Sequence, residues 1–251
     1  MGCNEHDEFS LPTRGTSPTA VISSGDSREL ARLLRLVEEI PEIGERVSNV
    51  SAEWLGRPYI ESPLDPGGDT ESLRIDLEAF DCVTMVETAI AISISEDIDQ
   101  FVDTLKKIRY HNGVVEWSAR NHYMSDWLTN NVAIGVLQDL TTGPSTVEKI
   151  AVLNAVEGLP PKLTAFRYFP QENLGTISRR LRTGDLASFA SLKPGLDVFH
   201  TGFLIVTGDG VVLRHASRSA GKVVDQSLDQ FIAGNKMLGV LIARPVIPCN
   251  R

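Results

Sequence analysis

The stretch DVFHTGFLIVTGDGVVLRHAS, residues 197–217, constrains this chain more than any other. Two β-type runs flank Gly208-Asp209, and a two-residue turn there makes an antiparallel hairpin whose facing residues have numbers that sum to 417. Gly202 then opposes His215, and His200 opposes Ser217. Side chains alternate along a strand, so His200 and His215 fall on one face as diagonal neighbours, about 7 to 8 Å apart at the backbone and within reach of a hydrogen bond. A three-residue turn would put them on opposite faces, as two unrelated histidines of a half-exposed hairpin. Gly202, having no side chain, leaves room beside His200 for a substrate to approach.

The rest of the chain divides in two. Before Ala133, apolar residues recur at helical spacing. SRELARLLRLVEEI (27–40) is a helix with Ser27 as N-cap, a second short helix runs from Pro41 toward Trp54, and further helices are expected over Cys82–Ile94 and IDQFVDTLKKIRYH. GRPYIESPLDPGGDTES, with three prolines and three glycines, is a long structured loop. LRIDLEAF reads as a short strand or extended arm, GVVEW as a strand, and ARNHYMSDWLTNN as an irregular turn and short helix. From Ala133 onward short β-type runs dominate: VAIGVL, EKIAVL, the hairpin, and MLGVLIARPV. Helices first and strands second predict an α+β domain over residues 27–251, its helices packed on an antiparallel sheet. Residues 1–26, polar and rich in Ser, Thr, Gly and Pro, read as a flexible leader.

The chain has 251 residues, 42% of them hydrophobic and 23% charged, enough to bury a sizeable core. A net charge of -9 argues against nucleic acid or an anionic membrane surface as main partner, since both demand a basic face. No apolar run approaches the roughly 18 residues of a membrane span. Gly2-Cys3 matches a lipoprotein processing site, which would make Cys3 a lipid anchor; an accidental cysteine is the alternative. His6 stands where myristoylation wants Ser or Thr. Three cysteines without a CxxC pair form neither a disulfide framework nor a zinc site.

Cys82 stands alone in the interior of the sequence, directly after Asp81, a good N-cap. A cysteine in the first turn of a helix has its thiolate stabilised by the dipole and by unpaired N–H groups. On its own it is more simply a small apolar filler. Nucleophilic use requires an imidazole to take the thiol proton, and the hairpin supplies two. Cys82 as nucleophile, His200 as general base and then acid, and His215 as the group orienting His200 would form an acyl-transfer triad. The backbone N–H of Cys82 is a natural first oxyanion donor. That chemistry calls for no metal or other cofactor.

These residues resemble the NlpC-type papain-like cysteine hydrolases of bacterial cell walls: cysteine at a helix start after Asp, H-x-G-F opening a strand, and H-A-S on the return strand. GRPY, ending at Tyr59, is similar to the G-x-P-Y element that precedes the nucleophile in that superfamily, where the tyrosine lies beside the nucleophile near the oxyanion. The closer resemblance, from about Trp54 to Pro245, is to a branch of N-acetylmuramoyl-L-alanine amidases long known as a domain of unknown function. It rests on FDCVTMVET, WSARNHYMSDWLTNN, GLDVFHTGF and RHAS. Peptide-cutting members usually carry D-C-S-G, whose Asp and Ser help to hold the free amine of the stem peptide. Val83 and Thr84 replace Ser and Gly here.

The resemblance implies a papain-like fold and a cysteine amidase that cuts between the lactyl group of N-acetylmuramic acid and L-Ala of peptidoglycan or its muropeptide fragments. It implies a periplasmic or envelope location. Two alternatives remain: an endopeptidase cutting between D-Glu and the diamino acid, and an inactive cell-wall binding module. In WSARNHYMSDW, Trp117, Arg120, His122, Tyr123 and Trp127 would offer aromatic faces for sugar and a cation for stem-peptide carboxylates. Against this, Tyr123 and Trp127 would equally serve as core of a short helix.

Overall fold

The first helix starts about one turn earlier than its apolar spacing predicts, because Ser23 rather than Ser27 caps it. In the computed structural model, which describes residues 20, 22–65 and 71–248, α1 spans Ser24–Val37. The Ser23 hydroxyl accepts the Asp26 N–H at 3.0 Å. Asp26 Oδ1 accepts the N–H of Leu77 at 3.1 Å, tying this helix to the arm that leads to Cys82. The short helix after Pro41 is α2, Ile43–Ala52. The 73–80 segment is the extended arm of the two alternatives. Leu73, Ile75 and Leu77 alternate into the core, yet among the described residues the arm joins no ladder and meets the preceding loop in an isolated parallel bridge, Tyr59 to Phe80.

The arm delivers the chain to α3, Cys82–Ser93, which is buried from Thr84 to Ser93. A helix apolar on all sides belongs at the centre of a core, and here its one buried acid, Glu87, is paired with Arg109. Arg109 closes α4, Ile98–Arg109. GVVEW is not a strand. Asn112 and Gly113 adopt positive φ, which breaks extension at its start, and a 3-10 turn over Trp117–Ala119 follows. One antiparallel bridge, Tyr110 to Arg120, closes the loop. VAIGVL is also only partly β: α5, Met124–Ala133, runs through its first residues, and β1, Leu137–Asp139, begins only after Gly135 at φ 79°.

The strands that follow are β2 (Val147–Leu153), β3 (Lys162–Pro170), β4 (Asp185–Ala190), β5 (Val198–Thr207), β6 (Gly210–Ser217) and β7 (Lys222–Ser227). A short helix, α6 (Leu228–Gly234), precedes β8 (Gly239–Pro245). All pairings are antiparallel, in the order β2-β3-β8-β4-β5-β6-β7, with β1 also on β8. The mixed architecture of helices and one antiparallel sheet is the α+β class expected. The β5–β6 hairpin has the expected register, with Thr207 facing Gly210 and Phe203 facing Arg214. One side of the sheet packs on α3 and its neighbouring helices; α6 covers the other with Phe231, in a second apolar cluster with Phe189, Leu204 and Leu213. Among the described residues no helix is long and apolar enough to cross a membrane. Cys3, His6 and Cys249 lie outside the described residues.

Candidate active site

Asp81 and Thr84 set the position of Cys82. Asp81 Oδ1 accepts the N–H groups of Val83 at 3.0 Å and Thr84 at 2.7 Å, and the Thr84 hydroxyl at 2.8 Å. The Thr84 hydroxyl oxygen in turn accepts the Asp81 N–H at 3.0 Å, completing a capping box. Thr84, which in sequence is a departure from D-C-S-G, therefore fixes the helix start and with it the cysteine.

Cys82, half-buried and free, lines a cavity of about 220 Å³. Asp81, Arg120, His122 and His200 line the same cavity, with Ser62–Asp65 as one wall. Burial pushes the Cys82 thiol up to about 12, helped by the charge of Asp81; N–H groups of Thr201, Cys82 and Val83 face the sulfur and work the other way. Thr201 has such an N–H to offer because the β5–β6 ladder ends at Phe203. Tyr59 sits close enough to feel the charges of Cys82 and Asp81. Burial first, and then those charges, raise its phenol, which keeps it protonated and able to donate.

The two hairpin histidines meet as the register requires: His200 Nε2 and His215 Nδ1 are 2.6 Å apart. His200 lies between Phe189 and Phe231, with ring centroids at 6.3 and 5.4 Å, and His215 packs edge-on against Phe231 at 5.5 Å. Burial in this aromatic setting lowers His200 to about 3, with His215 adding to the effect. His215 falls to about 4 for the same first reason, while Gln226 and Asp225 pull in the opposite direction. At neutral pH all three reacting groups are uncharged in the free protein. If His200 Nδ1 is to accept a proton, its Nε2 must carry hydrogen and donate to His215 Nδ1. His215 then carries its own proton on Nε2, a buried atom that Gln226, diagonal to it on β7, is placed to meet.

Gly202 does not open a path to substrate. A Cβ there would lie 2.8 Å from both Arg214 O and His215 Cβ and 2.9 Å from Leu213 Cδ1. The glycine is needed for the inward packing of His215. Gly202→Ala is therefore expected to cost about 1 to 3 kcal/mol of stability by overpacking, and to displace His215. Chemical denaturation would show it as a lowered midpoint; an unchanged midpoint would mean that the hairpin yields without cost.

The residues of the aromatic turn have mixed fates. Trp127 is core: it is 1% exposed and its Nε1 donates to Glu87 Oε1 at 3.0 Å. Tyr123 is also buried, with its hydroxyl accepting the Val156 N–H at 3.2 Å, and Trp117 does not line the Cys82 cavity but packs, tilted, against His122 and beside Gly158. Arg120 reaches the cavity, but its guanidinium is already held by Asp65 at 2.8 Å and Glu71 at 2.6 Å, so it is not the free cation expected for a stem-peptide carboxylate. Burial lowers His122, whose Nε2 lies 2.7 Å from the Trp117 carbonyl.

Three contributors had no sequence signal strong enough to single them out. Asp197 lines the cavity, buried, and accepts the Ser125 N–H at 2.6 Å, joining α5 to the strand that carries His200. Phe231 covers both histidines from α6, whose Ser227 cap was the available clue. Gln226 becomes visible only once β7 is placed beside β6. Among the described residues no group of three His, Cys, Asp or Glu side chains is arranged to hold a metal ion.

A half-buried cysteine at a helix N-terminus, sharing a cavity with one member of a histidine pair on the antiparallel sheet, is an arrangement suited to acyl transfer. A family model described as N-acetylmuramoyl-L-alanine amidase-like (AmiA-like) matches residues 49–240, and the chain belongs to that family of amidase-like peptidoglycan hydrolases. Among solved structures it is similar to an N-acetylmuramoyl-L-alanine amidase of Bacteroides uniformis, with 26% identity over 81% of this chain and 99% of that one and a TM-score of 0.74. It is also similar, at the same 26% identity, to a Bacteroides fragilis protein described as a putative xylanase, over 78% and 99% of the two chains with a TM-score of 0.68. A Legionella pneumophila protein, 23% identical over 88% and 94% of the chains with a TM-score of 0.76, shares the fold. No curated protein sequence matches the chain.

Proposed function

We propose that the protein is a cysteine N-acetylmuramoyl-L-alanine amidase of papain-like, NlpC-type fold. The observation that carries this is that Cys82, at the start of α3, and His200, which His215 backs at 2.6 Å, line one cavity. In the proposed reaction Cys82 Sγ attacks the lactyl carbonyl of muramic acid as its proton passes to His200 Nδ1. The Cys82 N–H and the Tyr59 hydroxyl donate to the oxyanion. Collapse breaks the C–N bond, His200 returns its proton to the L-Ala amine, and the stem peptide leaves. Water, deprotonated by His200, then attacks the thioester and frees the lactyl carboxylate and the thiol.

The raised thiol and depressed imidazole have a consequence for this cycle. Forming thiolate and imidazolium in the free protein is uphill, so proton transfer belongs with the approach of the carbonyl rather than before it. The residue after Cys82 favours amidase over endopeptidase, because the serine that would share in binding a free stem amine is Val83. Substrate location makes the bacterial envelope, in the periplasm, the proposed site of action, with Cys3 as a proposed lipid anchor. Incubation with a muramyl tetrapeptide tests the bond: the amidase releases the intact tetrapeptide with a free L-Ala amine. Release of a fragment cut after D-Glu would overturn the reading in favour of the endopeptidase.

A further inference from the structure

A second cleft abuts the Cys82 cavity, and Arg120 and His122 line both. It measures about 480 Å³ and lies between the aromatic turn and the β2–β3 loop. On the reading above, we propose that this cleft holds the saccharide attached to the lactyl group, so that the β2–β3 loop, with Asp126 of α5, forms the glycan subsite.

The chemistry of the walls separates a sugar from a peptide. Leu159, Pro160 and Pro161 present an apolar surface suited to the C–H face of a pyranose. Lys162 Nζ and Asp126 Oδ1, 2.6 Å apart, stand beside it as a paired donor and acceptor for hydroxyl or acetamido groups. Each lysine or arginine lining this cleft already has a carboxylate partner: Lys162 has Asp126, and Arg120 has Asp65 and Glu71. Burial disfavours the charged form of His122. A stem peptide bearing carboxylates would find no unpaired cation among these described residues, whereas a neutral N-acetylated hexosamine needs none. Arg120 adds one further donor, since its Nε–H has no partner among the described residues, and a neutral oxygen reaching Arg120 would satisfy it.

The test compares two substrates with the same scissile bond: a disaccharide tetrapeptide and a D-lactyl tetrapeptide that lacks the sugar. The wild-type protein should favour the first in kcat/KM by at least about tenfold, the worth of one hydrogen bond to a charged group. Two variants address the cleft: Lys162→Ala removes the donor, and Ser118→Trp places bulk in the cleft from an exposed position. Both should reduce that preference by about tenfold, through KM for the disaccharide substrate. Because the lactyl peptide is read in the same preparation, any loss of folded protein cancels in the ratio. A wild-type preference near one, or a preference unchanged in both variants, would overturn the glycan subsite while leaving the amidase reading in place. Failure of the wild-type protein to release tetrapeptide from either substrate would overturn the amidase reading, and the subsite with it.

Discussion

Replacing Cys82 by Ala is expected to lower turnover of muropeptides by about four to six orders of magnitude, the scale on which loss of a nucleophile acts in a triad hydrolase. The fold should be retained. Asp81 takes its capping bonds from Val83 and Thr84, not from the cysteine side chain, so α3 keeps its start without the thiol. The unfolding free energy should move by less than about 1 kcal/mol. His200→Ala should reduce turnover on a similar scale, because the Cys82 thiol, pushed up to about 12 by burial, must give up its proton as it attacks, and His200, backed by His215, is the base of the proposed triad. Measured kcat with circular dichroism on the same samples checks both halves of this expectation. Substantial residual turnover in Cys82→Ala would show that the thiol is a filler after all.

The largest effect on stability is expected at Glu87. Its carboxylate is 2% exposed, lies 2.8 Å from Arg109 Nε, and accepts Trp127 Nε1 at 3.0 Å; Arg109 Nη1 also donates to the Arg74 carbonyl at 2.7 Å. Burial raises the Glu87 carboxyl, and Arg109 beside it works in the opposite direction. Glu87→Ala strands a guanidinium in the core and leaves the indole N–H without an acceptor, at an expected cost of about 3 to 5 kcal/mol. Equilibrium denaturation measures it directly. A loss below about 1 kcal/mol would mean that water or a rearranged Arg109 replaces the carboxylate. The site depends on this pair indirectly, since it fixes α3 against α4 and α5, and α3 carries Cys82 at one end.

What could be read from the chain follows from which interactions are local. The β5–β6 hairpin was legible because a Gly-Asp turn fixes register by arithmetic, and the register alone put His200 and His215 on one face. The start of α3 was legible because Asp81 is a strong cap next to the cysteine. Long-range effects were not. Gly202 looks like an opening until His215 is seen packed behind it, and Arg120 looks like a free cation until Asp65 and Glu71 are seen to hold it. GVVEW has strand composition, but among the described residues it has no neighbouring strand to complete a ladder, and Asn112-Gly113 turns the chain away. The first helix was displaced by a turn because Ser23 and Ser27 are equally good caps by type.

One measurement bears most directly on the claim that Cys82 opens the lactyl–L-Ala bond. The protein is mixed with a disaccharide tetrapeptide, quenched in acid during turnover, and the mass of any adduct is read on the peptide that contains Cys82. The account predicts a thioester carrying the disaccharide through its lactyl acyl group, with free tetrapeptide in solution and no adduct on Cys82→Ala. An adduct whose acyl group ends in D-Glu, or the same products formed by Cys82→Ala, would contradict it.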